Sequence, residues 1–335
     1  MARRPRNTLP LAHLEPFDAL TLVREVRPPT PLEPTTGLAN ERRLLLKRED
    51  EGPNGSFKWR GALCACSAFQ AGGAQAVVTA STGNHGAAIA WAAARRGLSA
   101  HVVVPEGANP TKTSIIASHG AILHERGPTL DEASAYARTL AHDLGAALFE
   151  DGRCEAQLLG TATIGQELVD SGEEIDVVIT PLACGALAGG LARALAVLPN
   201  PPWIIGVQSS SFARLSALWH GKADPLQPSG SSFADGLADN RIVEPSFSAC
   251  RDYVDDVLDV SDDALSAAIR ELYEAHGIVV EGAAAAPLAA LRTAGDRVPP
   301  GCTVLITTGR NLDPTTEVEI LGRSVGDRAT LGGLS

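Results

Sequence analysis

A lysine that follows a glycine and small polar residues is the first group in this 335-residue chain that could do chemistry. Lys58 ends the run 54–58, NGSFK, and the residues after it predict that it opens a helix. A helix N-terminus carries partial positive charge and disfavours an ammonium group, so we expect a lowered pKa for Lys58. Such a lysine suits Schiff-base chemistry. Taken alone, the run also fits a solvated lysine in a surface loop.

Two further segments follow predicted strands and could bind anions. The run 81–86, STGNHG, leads into a helix, where backbone N–H groups and hydroxyls can hold a carboxylate or a phosphate. Ser81 or Thr82 could instead be a simple N-cap. In the run 181–190, PLACGALAGG, six of ten residues are Ala or Gly. It allows close approach of a phosphate or close helix packing, but it lacks the GxGxxG and P-loop patterns.

A third segment, 307–311 (TTGRN), ends the last predicted strand. A hydroxyl at this place could donate one hydrogen bond into a site, although a plain turn after a strand is the commoner structure.

The elements that must position these residues alternate along the chain from Arg42 onward. Strands that alternate with helices predict βαβ units and a mostly parallel sheet, whose ligands bind at the carboxyl ends of the strands. The predicted strands are 44–47, 76–80, 100–104, 121–124, 147–149, 176–180, 203–208, 254–260 and 302–307. The predicted helices are 85–96, 111–119, 130–144, 155–171, 186–198, 210–220, 262–276 and 283–294. Residues 1–40, rich in proline, are expected to form an arm over a domain.

The chain resembles the fold-type II pyridoxal-phosphate enzymes, the tryptophan synthase β-subunit superfamily. The resemblance lies in the order of its motifs, which are GSFK followed by RGA, then STGNHG, then GRN after the last strand. Within this superfamily the chain is most similar to the threonine/serine dehydratases and serine racemases, over about residues 30–320. The resemblance implies an α/β fold of two lobes, each a mostly parallel twisted sheet flanked by helices. It implies a large cofactor-binding domain, residues 1–70 and 151–335, and a small mobile domain, residues 71–150.

The same resemblance implies pyridoxal 5′-phosphate as cofactor and assigns roles to matched positions. Lys58 would form the Schiff base and later take the substrate α-proton, and Thr82 stands where racemising relatives have a second acid/base hydroxyl. The implied cofactor contacts are Phe57, Asn84, the backbone of Ala183, Cys184, Gly185, Ala186 and Leu187, then Glu281, and Thr308 at the pyridine nitrogen. The implied substrate-carboxylate contacts are Ser81, Thr82, Gly83 and His85.

The implied reaction is elimination and deamination of a threonine- or serine-type β-hydroxy amino acid to a 2-keto acid and ammonia. A neutral hydroxyl at the pyridine nitrogen favours prompt elimination over transamination. Racemisation, β- or γ-replacement as in threonine synthase or cysteine synthase relatives, and a binding relative without catalysis stay open.

Three departures from the family pattern stand out. Ala183-Cys184-Gly185-Ala186 replaces the usual run of glycines. Arg310 stands where a second glycine is common, and it could bind an additional carboxylate or phosphate of the substrate or point outward. The run 208–214, QSSSFAR, holds no carboxylate, so we expect no divalent-metal site there.

Composition narrows the function further. A net charge of −11 makes the chain a poor ligand for nucleic acid. No stretch approaches the roughly 18 apolar residues of a membrane helix, and the basic start lacks the apolar run of a signal peptide. Six scattered cysteines fit reduced core thiols. We therefore expect a cytoplasmic enzyme, a homodimer by default, that acts on a small amino acid.

Two more expectations concern the end of the chain and its acidic residues. The two lobes fill the chain, so an appended effector-binding domain is not expected. An aspartate cluster is expected to be a helix cap and a solvated edge strand rather than a cation site. Its members are Asp252, Asp255, Asp256, Asp259, Asp262 and Asp263.

Overall fold

The computed structural model describes residues 18–35, 37–38 and 42–322, and within them helices and strands alternate along the chain. The elements are, in order, α1 (Ala19–Val26), β1 (Leu32–Pro34), β2 (Leu44–Arg48), α2 (Lys58–Ala71), β3 (Ala76–Ala80), α3 (Asn84–Arg96), β4 (Ser99–Val104), α4 (Pro110–Ser118), β5 (Ile122–Glu125), α5 (Leu130–Leu144), β6 (Ala147–Leu148), α6 (Glu155–Asp170), β7 (Val177–Pro181), α7 (Ala186–Leu195), β8 (Trp203–Ser209), α8 (Arg214–Trp219), α9 (Ser246–Tyr253), β9 (Asp256–Val260), α10 (Asp262–His276), α11 (Gly282–Thr293), β10 (Thr303–Thr307) and α12 (Pro314–Leu321).

The strands form two sheets. The larger has the order β1-β2-β10-β7-β8-β9, and every pair in it is parallel except β1 with β2. The smaller has the order β5-β4-β3-β6 and is parallel throughout. The predicted α/β class with two mostly parallel sheets is therefore confirmed.

Small aliphatic residues build the core. Every residue of β7 and β10 is buried. Helix α11, with the sequence GAAAAPLAALRT, is buried from Gly282 to Leu291 against the larger sheet. Alanine side chains let this helix lie close to the strands, and burial removes apolar surface from water at about 25 cal/mol per Å². The closely packed layers hold the strand ends, where the site lies, in fixed positions.

A buried ionic network anchors the start of α2. Arg60, which is fully buried, donates from Nε to Glu49 Oε2 at 2.8 Å and from Nη1 to Glu167 Oε1 at 2.8 Å. Lys47 donates to Glu167 Oε2 at 2.6 Å. Burial, the largest single influence, favours the neutral form of Glu167, but the attraction and hydrogen bonds of Arg60 and Lys47 together lower the pKa of this carboxyl. The network fixes α2 two residues beyond Lys58.

Several sequence expectations were wrong or incomplete. The expected helix 210–220 is a single turn, Ser210–Phe212, followed by α8, because Ala213 leaves the helical conformation between them. Elements β1, α9 and α12 were not predicted, and α1 lies in the segment that was expected to form an arm. In the aspartate cluster, Asp262 and Asp263 follow the N-cap Ser261, and β9 is an edge strand, as expected. The predicted solvation is wrong for two members.

Those two members of the cluster are Asp255 and Asp256, which are buried because each has a partner. Asp255 accepts a hydrogen bond from the backbone of Ile204, and Asp256 binds Arg297 at 2.8 Å. Residues 1–17 of the expected arm lie outside the described residues.

Candidate active site

The lysine loop and the end of the last strand form one structure. Phe57 donates its backbone N–H to the Thr308 carbonyl at 2.8 Å, and Arg310 donates to the Gly55 carbonyl at 2.9 Å. Gly55 has φ +65°, and a Cβ there would lie 2.7 Å from Asn311 Oδ1, so glycine is required on both counts. Segments 250 residues apart in sequence therefore meet beside Lys58.

Asn84 joins the polar loop to the same place. Its Nδ2 donates to both carboxylate oxygens of Glu281, at 3.0 and 2.8 Å, and its Oδ1 accepts from Asn311 Nδ2 at 2.7 Å. Glu281 in turn donates its backbone N–H to the Gly309 carbonyl. A Cβ at position 309 would lie 2.5 Å from the Glu281 carboxylate, so glycine leaves the space that this carboxylate needs. Burial raises the pKa of Glu281. The amide of Asn84 is thus engaged by protein groups, and its role as a cofactor contact stays a prediction.

Three other residues of the polar loop, Ser81, Thr82 and His85, differ in their surroundings. Ser81 Oγ accepts from the N–H groups of Gly83 and Gly86, at 3.2 and 3.1 Å, so it holds the turn that leads into α3. The N-cap of α3 is Gly83, so neither Ser81 nor Thr82 is the simple N-cap that was weighed against binding. His85 is buried edge-on against Phe149, with ring centroids 4.9 Å apart. Burial lowers the pKa of His85 to about 4, which leaves a neutral imidazole at pH 7. Thr82 is half-buried at the cavity wall.

Lys58 faces a carboxylate that the sequence reasoning missed. Its Nζ lies 2.5 Å from Asp151 Oδ2, and each side chain is 18% exposed. Burial, the largest single influence, lowers the pKa of Lys58, but the attraction of Asp151 helps to reverse the effect, and the pKa is raised. The predicted lowering of the Lys58 pKa is therefore wrong. The rule that ligands bind beyond strand ends was the available signal, because Asp151 stands three residues after β6.

The small-residue run serves both of the uses considered for it. Gly185 has φ +96°, and a Cβ there would lie 2.8 Å from Cys250 Sγ, so only glycine fits the turn before α7. Gly190 instead packs on α6, where a Cβ would lie 2.5 Å from the Leu158 carbonyl. Burial raises the pKa of the Cys184 thiol, which keeps it protonated at neutral pH.

A cavity of about 800 Å³ lies between these segments, and its size is within the usual range for cofactor and ligand sites. Its wall includes every residue predicted for the site. These are Phe57, Lys58, Ser81, Thr82, Gly83, Asn84, His85, Ala183, Cys184, Gly185, Ala186, Leu187, Glu281, Thr308 and Arg310. Arg310 is exposed at the wall. Asp151, Asp239 and Arg241 also line the cavity and were not predicted.

The residues present fit pyridoxal phosphate. Thr308 is 1% exposed, and its Oγ1 has no hydrogen-bond partner among the described residues although it lines the cavity. A buried hydroxyl without a partner is costly, and a pyridine nitrogen would satisfy it. The turn at Gly185 and the start of α7 offer backbone N–H groups for a phosphate, and Phe57 offers an aromatic face.

Comparison with known proteins decides the family. A family model described as pyridoxal-phosphate dependent enzyme matches residues 23–309. The chain belongs to this family. Among its relatives is the biosynthetic L-threonine dehydratase of Pasteurella multocida, 33% identical over 274 residues, which cover 81% of this chain and 53% of that one. This member of the pyridoxal-phosphate dependent enzymes thus spans about half the length of the dehydratases that it matches first.

Two further proteins bear on this family member. The phenylserine dehydratase of Ralstonia pickettii is 30% identical over 302 residues, covering 88% of this chain and 89% of that one. The processed form of threonine deaminase isoform 2 from Solanum lycopersicum superposes with a TM-score of 0.86 at 26% identity, covering 96% of this chain and 90% of that one. Within the described part of the chain, no helix is long and apolar enough to cross a membrane.

Proposed function

We propose that this pyridoxal-phosphate dependent enzyme is an ammonia-lyase that converts a β-hydroxy amino acid into a 2-keto acid and ammonia. The observation that carries the proposal is the convergence of Lys58, the polar loop 81–86 and the unpartnered Thr308 hydroxyl on one cavity. The dehydratase relatives of Pasteurella multocida and Ralstonia pickettii support it.

The chain's own groups suit the steps of this reaction. Bound pyridoxal phosphate supplies the electron sink. Lys58 Nζ is the base that takes the proton from the substrate α-carbon, and its fixed place makes the transfer effectively intramolecular. The loop 81–86 orients the substrate carboxylate through its backbone N–H groups and hydroxyls. Thr308 stays neutral, so it does not hold the ring nitrogen protonated, and elimination is favoured over transamination.

A second proposal concerns the size of the substrate. Ile115, Leu130 and Leu226 line the cavity while 44%, 46% and 65% of their surfaces remain exposed. Large apolar side chains open to the cavity favour a substrate whose β-carbon carries an apolar group. The phenylserine dehydratase relative supports this choice over serine itself.

Product analysis with the holoenzyme tests both proposals. With L-serine, L-threonine and L-β-phenylserine, we expect 2-keto acid and ammonia in equal amounts. We expect kcat/KM to rise with the β-substituent by about tenfold or more from serine to phenylserine, the scale of a few apolar groups in a pocket. Equal kcat/KM values for the three would contradict the size proposal. Recovery of D-serine without ammonia would instead support racemisation through Thr82.

We further propose a homodimer in the cytoplasm, with residues 71–150 as a small domain that closes over the substrate. The six free thiols fit a reducing compartment, and closed dimers are the commonest assembly of such enzymes. Asn109, the N-cap of α4, donates to Asp313 Oδ2 at 3.1 Å, a contact that such closure would make. Light scattering and small-angle scattering with and without substrate test the mass and the closure.

A further inference from the structure

Both carboxylate oxygens of Asp151 are held by hydrogen bonds beside Lys58. One oxygen lies 2.5 Å from Lys58 Nζ, and the other accepts from Gln157 Nε2 at 2.5 Å. Gln157 is buried, and its Oε1 accepts the Gly152 N–H at 2.9 Å, so the amide is held at both ends. Gln157 therefore fixes the orientation of the Asp151 carboxylate toward Lys58.

We propose that Asp151 is a positioning residue that stabilises the ammonium form of Lys58 and so strengthens this lysine as the base that takes the α-proton. The role of Asp151 in turnover rests on the proposed function, whereas its effect on the charge of Lys58 does not. In the step, the substrate Cα–H bond breaks, the proton bonds to Lys58 Nζ, and the electron pair passes to the bound cofactor. The β-hydroxyl then leaves as water with the proton that Lys58 Nζ has taken from the α-carbon. Asp151 accepts an N–H hydrogen bond from the new ammonium.

Asp151 itself is not the proton donor. Burial, the largest single influence, pushes the pKa of its carboxyl upward, but the attraction of Lys58 together with His85 and the hydrogen bonds from Lys58 and Gln157 lowers the pKa well below the usual range. The carboxyl therefore stays ionised at neutral pH. Its contribution is a fixed negative charge next to the nitrogen that gains positive charge, which is worth most in a partly buried site.

The other groups around Lys58 do not replace this charge. His85 is neutral at pH 7, the Cys184 thiol is protonated, and burial disfavours ionisation of Glu281. Asp239 is paired with Arg241, at 2.8 Å. The charged and titratable groups that act on Lys58 or Asp151 are thus His85, Cys184, Asp239, Arg241 and Glu281.

The proposal predicts opposite effects of Asp151→Asn on two rates. Capture of pyridoxal phosphate by protein stripped of it needs neutral Lys58, whose Nζ bonds to the aldehyde carbon as water is released. Loss of the charge lowers the Lys58 pKa by at least one unit, so capture at pH 7.5 becomes about tenfold faster and its pH profile moves down. Turnover needs a strong base, so kcat falls about tenfold while KM stays within about threefold. An α-deuterated substrate then shows a larger isotope effect.

Asp143→Asn is the matched control, because Asp143 lies exposed near the end of α5 and is not among the residues that line the cavity. We expect it to change neither rate. General damage to the fold would slow both capture and turnover, so faster capture with slower turnover identifies the charge effect. An unchanged pH profile of capture in D151N would overturn the proposal. Capture does not involve substrate, so a shifted profile without any ammonia release refutes only the proposed function.

If D151N does not fold, Asp151→Ser with added formate gives the same test. Formate in the vacated place should slow capture and restore kcat together. Formate without effect on either rate in D151S, while Asp143→Ser behaves as wild type, would also overturn the proposal.

Discussion

At the scale of single residues, the site depends on polar atoms whose partners the protein itself does not supply. Thr308 Oγ1 and His85 Nε2 are both buried and without a hydrogen-bond partner among the described residues. Most buried polar atoms in proteins have partners, so two such atoms on one cavity point to a bound group. Thr308 is the stronger indication of a bound group, because its backbone carbonyl accepts a hydrogen bond from Phe57, the neighbour of Lys58.

Thr308→Val removes the hydroxyl and keeps the shape of the side chain. A hydrogen bond to a neutral group contributes about 0.5–1.5 kcal/mol, so we expect the Kd for pyridoxal phosphate to rise by about two- to tenfold. Fluorescence titration of stripped protein measures it, and Thr308→Ser should restore the wild-type value. Equal Kd values for T308V and wild type would show that this hydroxyl does not face the cofactor.

At the scale of elements, local signals fixed the ends of the best-predicted segments. Helices α5 and α10 have the predicted bounds because Thr129 and Ser261 cap them and Gly145 and Gly277, in the left-handed conformation, end them. Strand β1 escaped prediction because it is three residues long and ends in Pro34. Helix α9 escaped because its sequence, SFSACRDY, is polar and short.

The ionic network behind Lys58 makes the position of α2 sensitive to one substitution. Arg60→Met leaves Glu49 and Glu167 buried without their main partner, and breaking such a pair costs about 3–5 kcal/mol. Arg24→Met removes an exposed pair with Asp170, which contributes at most about 1 kcal/mol. We expect the urea midpoint to fall far more for R60M than for R24M. Similar midpoints would mean that the network does not hold α2.

At the scale of the whole molecule, the order of motifs along the chain predicted the site, but their distances in space could not be read from it. The carboxyl ends of parallel strands in the two sheets bring Lys58, Asn84, Gly185 and Thr308 to one cavity. The ion pair with Asp151 joins residues 93 positions apart and belongs to no motif, so the place of Asp151 after β6 was the one signal for it, and that signal did not name its partner. The ion pair also helps to raise the Lys58 pKa against the effect of burial, contrary to the expected direction.

The most direct test of this lysine-centred elimination is product release by Lys58→Ala. The reconstituted variant should keep pyridoxal phosphate only non-covalently and should lose at least about a hundredfold in ammonia and 2-keto acid production. Lys222→Ala, at an exposed position, is the control and should match the wild-type enzyme. Release of ammonia by K58A at the rate of the wild-type enzyme would contradict the central role of Lys58.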